Sequence, residues 1–434
     1  MFRLVVVLVC ALAAGACEGV SSENIQRWKT TQKGPGKLQD ALRDSSVSPR
    51  LRAEAAMALV DMGMAEEMEG IFARLPAGDR QEISKTLVPT FQAQMKDPNV
   101  QKARAGRDGL FSVRSSLPPE EQKAIDAALM ESITADIRAG RLAGGRHSLD
   151  KIVRAIGPPA APPLVALLED PKVPFQGVAD LVTPILDDAG RDQAGLALVK
   201  RALALPEIPV ALWRALGLIG GKPATAFLID KVQKGFEKDA VSAAQALQQR
   251  RDPSLLPAAL RLAADPKANK AARDEMFGLV EKIGGLEAQR GLIQIIATDK
   301  EEVVRYRAYE AALAVGKGNA VVPALEAFPA GATYKKDDVV DFLVKDIGKL
   351  GAEGRPAAVK ALASSSPLAR FTGVWALEAP TADNAGKSLG GAGEAPAVLK
   401  LSSDKGTVRG FPSGLTVGKE AARVAAVLQK KTGS

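Results

Sequence analysis

Apolar side chains along 301–315 fall at Val304, Ala308, Ala311, Ala312 and Val315, at steps of i, i+4, i+7, i+8 and i+11, while Arg305, Arg307 and Glu310 point elsewhere. That spacing predicts a helix with one apolar stripe. The preceding stretch 286–297 predicts a partner helix, a polar corner at Thr298-Asp299-Lys300 separates the two, and Gly316-Lys317-Gly318-Asn319 stops the second. A helix pair of this size encloses too little interior to be stable alone. It must stack on copies of itself.

The copies are present. The corner 44–49 leads into a stripe of Leu51, Ala55, Ala58, Leu59 and Met62 that stops at Gly63. Asp97-Pro98-Asn99-Val100 leads to Leu110, Asp170-Pro171 to Leu186, and Asp265-Pro266 to Ile283, while Pro367 opens a run through Leu368, Phe371 and Trp375 to Leu377. Gly157, Gly190, Gly220, Gly284, Gly316 and Gly348 are read as helix stops, with steps of 33, 30, 64, 32 and 32 residues. A glycine just past each helix is the usual C-terminal stop, and a period near 32 implies two helices per repeat. The regularity ends after Pro380, where 381–414 is rich in Gly, Ser, Ala and Pro and its few apolar residues allow a short hairpin at most. A last helix, 415–430, carries Val417, Ala421, Val424, Ala425 and Leu428 on one face, as expected of a cap on the end of a stack.

The Asp-Pro or Ser-Pro corner, the opening Val304-Arg305-Tyr306-Arg307-Ala308 and the closing pairs Ile156-Gly157, Ile219-Gly220, Ile283-Gly284, Val315-Gly316 and Ile347-Gly348 resemble the HEAT family. They are closest in style to the short HEAT-like repeats of bacterial proteins and bilin lyases. The resemblance implies an all-α fold, an α-α superhelical solenoid of about ten or eleven helix pairs over 37–378. It also implies that the corner aspartate and the helix arginine link neighbouring repeats.

The N-terminus reads as an export signal. A single positive charge at Arg3 precedes an apolar run of 11 residues, 4–14, too short to span a bilayer, which takes about 20 residues. The run ends in Ala13-Ala14-Gly15-Ala16-Cys17, which resembles the lipobox of bacterial lipoproteins, although Ala14 stands where that family usually has Leu. The resemblance implies removal of 1–16 and lipidation of Cys17. Ordinary cleavage after Ala16, giving a secreted protein, is the alternative. Residues 17–36 then serve as a polar tether, with Ile25 and Trp28 spaced to dock one turn of it on the first repeat.

Composition narrows the chemistry. The only histidine is His147 and the only cysteines are Cys10 and Cys17, so the body has no thiolate nucleophile, no disulfide, no Cys/His zinc cluster and no histidine pair for proton relay. No metal and no cofactor is expected, and Ser402 to Lys405 matches the lysine-activated serine pattern only as a short chance motif. The carboxylate pairs Asp187-Asp188 and Asp337-Asp338 read as N-terminal helix charges. A net charge of +8 over 434 residues is a mild bias, not a polycation.

These readings converge on a non-catalytic scaffold of the bacterial cell envelope, lipid-anchored with a lean toward the outer membrane, that binds another protein on its helical surface. A lyase- or chaperone-like enzyme and a binder of an anionic envelope polymer are the alternatives. An exported chain is not expected to meet nucleic acid. Candidate binding residues are Arg250, Arg251, Arg273, Arg305 and Arg307, which recur near adjacent corners, and Trp213 and Trp375, which qualify only if exposed.

Overall fold

The computed structural model describes residues 19–141, 146–379 and 388–430, with side chains placed for all of them but 146–148. Residues 1–18, with Cys17 and the expected export signal, lie outside the described residues, as does the side chain of His147. Among the described residues every regular element is helical and there is no β-strand. The chain divides into two compact units, up to Arg201 and from Ala202 onward.

The first unit opens with α1 (Ser22–Trp28), whose Ile25 and Trp28 are buried, so this part of the expected tether is a helix docked on its neighbours. Then follow α2 (Gly34–Arg43), α3 (Pro49–Asp61), α4 (Ala65–Phe72), α5 (Ala77–Gln94), α6 (Val100–Arg114), α7 (Pro119–Arg138), α8 (Arg146–Ile156), α9 (Ala161–Glu169), α10 (Phe175–Val182) and α11 (Asp188–Leu203). Pairs α2/α3, α5/α6 and α9/α10 pack as hairpins. Helix α4 belongs to no pair and is wedged against α2, α3 and α6.

The second unit is more regular. It holds α12 (Val210–Ile219), α13 (Gly221–Lys234), α14 (Glu237–Leu247), α15 (Leu256–Ala263), α16 (Lys270–Ile283), α17 (Gly285–Thr298), α18 (Glu302–Gly316) and α19 (Gly318–Ala327). Helix α20 is composite, Lys336–Asp338, a π-helical turn Val339–Val344 and Lys345–Gly348, and is followed by α21 (Gly354–Ala361), α22 (Pro367–Glu378), α23 (Ala395–Leu399) and α24 (Val417–Lys430). Second helices α12, α14, α16, α18, α20, α22 and α24 each pack on the next to form one layer, and first helices α13, α15, α17, α19 and α21 form the other.

Seven corners share one construction. Asp44, Asp97, Asp170, Asp252, Asp265, Asp299 and Asp404 each accept a hydrogen bond on Oδ1 from the backbone N–H two residues on, at 2.7 to 3.0 Å. This turn is why aspartate recurs there. Arginine occupies the fourth position of α3, α16, α18 and α22 and reaches back to the corner. Arg52 Nε donates to Leu42 O (3.0 Å), Arg273 Nε to Ala263 O (3.1 Å), Arg305 Nη1 to Asp299 O (2.9 Å) and Arg370 Nη1 to Ser364 O (2.7 Å). Three of them also bond a carboxylate further along: Arg52 with Asp79 (2.8 Å), Arg273 with Glu301 (3.4 Å) and Arg370 with Asp404 (2.6 Å).

Glycine marks helix ends less uniformly than its spacing implied. Gly157, Gly220 and Gly284 do take positive φ (75°, 69° and 67°). At 316–317, however, the left-handed residue is Lys317 (φ 51°), Gly190 lies inside the first turn of α11, and Gly348 closes α20 without positive φ. Nor does the repeat stop at 380. Among the described residues beyond it there is no hairpin. Instead α23 packs on α24 across a long corner turned by Asp404, so the cap is a shortened repeat.

Two predictions follow from these contacts. Arg273→Ala leaves the end of α15 without its donor and should cost about 2–4 kcal/mol in denaturant unfolding, whereas Arg251→Ala, at an exposed site, should stay within about 0.5 kcal/mol. In the cap, burial works to raise Glu394, Asp404 and Glu420, but hydrogen bonds to Gly391 N and Arg355, to Arg370 and Gly406 N, and to Trp375 and Arg423 outweigh it and hold all three below the usual carboxylate range. Depressed carboxylates stabilise the fold above their unfolded values of about 4 and lose that contribution as pH falls through the folded values. Hydrogen-exchange protection of Val417–Lys430 should therefore drop between about pH 5 and pH 3 more than that of Gly285–Thr298; an equal drop would contradict it.

Candidate functional site

A cavity in the first unit lies where α4 interrupts the stack. Helix α5 begins at Ala77, 43 residues after α2 begins at Gly34, and the added length is the α4 segment. Between α3 and α6 this leaves a groove of about 1150 Å³. Its floor is small and apolar, with Met57, Ala58, Val60, Ala65, Ala93 and Ala105, and its rim carries the amides of Gln26, Gln94 and Gln101 and the hydroxyl of Thr90.

Charge in the groove is balanced. Lys29, Lys102, Arg104 and Arg107 stand against Glu54, Asp61, Asp97 and Asp108. Asp61 accepts from Lys29 Nζ at 2.7 Å and from Gln94 Nε2 at 2.9 Å, tying α1 and α5 to the end of α3. Arg107 is buried and fixed by Asp136 at 2.8 Å, and Arg104 Nη2 donates to Arg141 O at 3.2 Å. The Nε of each of these two arginines is buried with no hydrogen-bond partner. Burial works to raise Asp136, yet Arg107 and Arg141 together hold its carboxyl below the usual range.

A second cavity of about 240 Å³ shares Gly63, Ala65 and Asp108 with the groove and extends it past Phe111 to Lys151. There Lys151 bonds Glu69 at 2.8 Å, which raises its ammonium above the ordinary value, and lies 5.8 Å from the Phe111 ring centre. The two cavities follow α6 in one direction. Such a volume exceeds the range of about 300–1,000 Å³ typical of small-ligand sites, and paired donors and acceptors along a rim suit a polymer backbone. Among the described residues no group of His, Cys, Asp and Glu is placed to hold a metal ion.

The residues singled out in the sequence lie elsewhere, in the second unit. Trp213 is 3% exposed and stacks on Phe227 at 5.9 Å; Trp375 is 5% exposed and donates Nε1–H to Glu420 at 2.9 Å. Neither presents a ring to a partner. Arg273 and Arg305 are buried beneath corners, Arg307 is half-buried on Glu281 at 2.7 Å and 5.5 Å from the Phe277 ring centre, and Arg250 bonds Thr225 at 3.1 Å. Arg251 is exposed. These arginines do not form an exposed ridge, because most of their donors are committed to neighbouring repeats. The groove residues carried no motif. The one signal for them was the lengthened interval between the first two repeats.

No family model matches the sequence. No curated protein matches it either. Solved structures that align with the chain include an engineered protein, at 17% identity over 92% of this chain and 99% of that one, TM-score 0.31. The karyopherin Kap121p bound to the SUMO protease Ulp1p aligns at 10% identity over 93% of this chain and 49% of its own, TM-score 0.31. SYS-1 aligns at 12% identity over 94% and 80%, TM-score 0.23. The chain thus spans about half the length of the karyopherin.

Close approach of α5 and α6 sets one groove wall. A Cβ built on Gly106 would lie 2.7 Å from Met95 N and 2.9 Å from Phe91 O, so Gly106→Ala must push backbone apart. It should cost about 1–3 kcal/mol in denaturant unfolding. Gly70→Ala on α4, where a Cβ meets open space, should instead be neutral or stabilising by up to about 1 kcal/mol.

Proposed function

We propose that this chain is an exported, lipid-anchored helical-repeat scaffold without catalytic activity, and that it binds another protein by seating an extended segment in the groove between α3 and α6. The observation that carries the reading is the groove itself, a volume of about 1150 Å³ floored by alanine and rimmed by amides. An alanine floor lets a backbone approach closely, and side-chain amides both donate and accept, as a peptide backbone does. Four cations against four carboxylates favour a segment of mixed charge over an anionic polymer, for which a one-signed groove is the efficient design.

Export and anchoring rest on the leader, with its apolar run at 4–14 and Cys17 after Ala14-Gly15-Ala16. Acyl chains contribute about 0.8 kcal/mol per buried methylene, and two or more give a stable anchor. The retained chain would then hold its repeats at the membrane face of the envelope.

Two experiments test the two halves separately. Radiolabelled palmitate should enter the wild-type chain and not Cys17→Ser, which should leave the membrane fraction; a Cys17→Ser chain that stays labelled and membrane-bound refutes the anchor. A photo-crosslinking residue at Ala93 should trap a discrete partner protein in native envelopes, and Ala93→Trp, which fills the exposed floor, should weaken recovery of that partner about tenfold or more. Unchanged recovery refutes the groove.

A further inference from the structure

The second unit carries an aromatic surface that the stacking of repeats does not explain. The chain has only three tyrosines, and all of them meet in one cluster with Phe328 and Phe342. Tyr306 stacks on Phe342 at 5.0 Å between centroids and lies 5.9 Å from Phe328; Phe328 in turn meets Tyr309 at 5.9 Å and Tyr334 at 6.0 Å. Four of these rings are core. Phe342 is not: it is 48% exposed, and Val303, one turn before Tyr306 on α18, is 61% exposed.

Phe342 stands on the π-helical turn of α20, Val339–Val344. A π turn accommodates an extra residue and occurs frequently at functional sites. Here it coincides with a large ring left open to solvent on the face away from Tyr306. The charges at this stack are acidic. Glu302 accepts the Tyr306 hydroxyl at 2.6 Å, and after burial, Glu302 and Asp338 are what push that hydroxyl well above its ordinary value. Asp337 is exposed in the first turn of α20, beside Asp338.

Nearby cations are largely engaged. Lys336 lies 5.4 Å over the Trp375 ring, Lys345 bonds Asp341, and Arg305 serves its own corner. Lys300 and Lys335 remain at the edges, both exposed. An exposed ring flanked by carboxylates suits a guanidinium, which stacks on aromatic faces within about 6 Å and forks onto carboxylates. An anionic membrane surface would be repelled by the same carboxylates.

We propose that Phe342 and Val303, together with Glu302, Asp337 and Asp338, form a second docking surface, for an arginine-bearing segment of a partner protein. The guanidinium lies on the open face of Phe342 and reaches the carboxylates, and an apolar neighbour in the segment covers Val303. This surface stands independently of the groove in the first unit.

The test uses the full chain and a fluorescein-labelled peptide of alternating leucine and arginine, read by anisotropy, beside its counterpart with glutamate for arginine. The arginine peptide should bind saturably and the glutamate peptide should not. Phe342→Ala and Val303→Lys, both at exposed positions, should each weaken binding about tenfold, as should Asp337→Asn combined with Asp338→Asn. Ala93→Trp should leave it unchanged. Equal binding by Phe342→Ala, equal binding of the glutamate peptide, or absence of saturable binding overturns the proposal. So does self-association of the wild type that Phe342→Ala abolishes, which would assign the surface to a second copy.

Discussion

The last carbonyls of a helix need donors, and in a chain made of short helices this demand returns at every corner. At four of the corners an arginine meets it, buried at Arg52, Arg273 and Arg305 and half-buried at Arg370. From the fourth position of α3, α16, α18 and α22 the guanidinium returns to the carbonyls of the preceding helix end or its corner. Where α10 offers no such residue, Arg201 supplies the donors instead, to Leu168, Asp170, Pro171 and Val173. A lysine could not do the same, since one ammonium cannot fork across several acceptors held in a plane. The arrangement is expensive in desolvation, and Nη2 of Arg52 and Arg273 and Nε of Arg305 remain without a hydrogen-bond partner, although Arg273 Nη2 lies 3.8 Å from the Asp299 carboxylate. At Arg52, Arg273 and Arg370 it also secures register, because the same guanidinium that closes one corner bonds a carboxylate further along the chain.

Polar residues on the second-helix layer extend that logic. Gln248 Nε2 donates to Glu275 O at 2.7 Å, Lys282 to Gln248 at 2.5 Å, Arg307 to Glu281 at 2.7 Å, and Lys349 approaches Glu310 at 3.7 Å. Each pair joins adjacent second helices. Exposed pairs of this kind contribute little individually, yet together they occupy the face on which a repeat protein would otherwise present free side chains. The two surfaces proposed for a partner both lie where the pattern breaks. In the first unit that is the α4 insertion, and in the second the π turn of α20.

The same logic decides what could be read from the sequence. Helix pairs, corners and the linking role of Asp299 were legible because they follow from periodicity and from side-chain chemistry at fixed positions, whereas Arg305 hydrogen-bonds the carbonyls of its own corner. The candidate site was not. Periodicity says which face a residue occupies but not how tightly its neighbours close over it: the second-helix positions of Trp213 and Trp375 pointed to the core, and both are covered, but the groove's opening was not to be read that way. Arg273 and Arg305 looked like a basic ridge for a related reason: identity reports charge, while burial depends on a corner that folds back over the side chain. Glycine misled at 316, where the chain assigns the left-handed residue to Lys317 and leaves Gly316 helical, packed so closely that a Cβ would meet Gln289 at 2.7 Å.

The C-terminal segment shows how far a repeat can be reduced before its sequence signature vanishes. Helix α23 has five residues, too few for a stripe, and the corner after it, 400–416, is about twice the length of the next longest within a pair, 328–335. Yet Asp404 makes the same turn, accepts Arg370 as Asp79 accepts Arg52, and delivers α24 onto α22. Helix α22 is consequently buried on nearly every side, from Leu368 to Leu377, with Phe411 from the long corner packed on Phe371 and Trp375. A terminal second helix left bare would expose that apolar surface to water. The shortened repeat covers it with one amphipathic helix and one aromatic side chain, and it keeps the arginine-to-aspartate link.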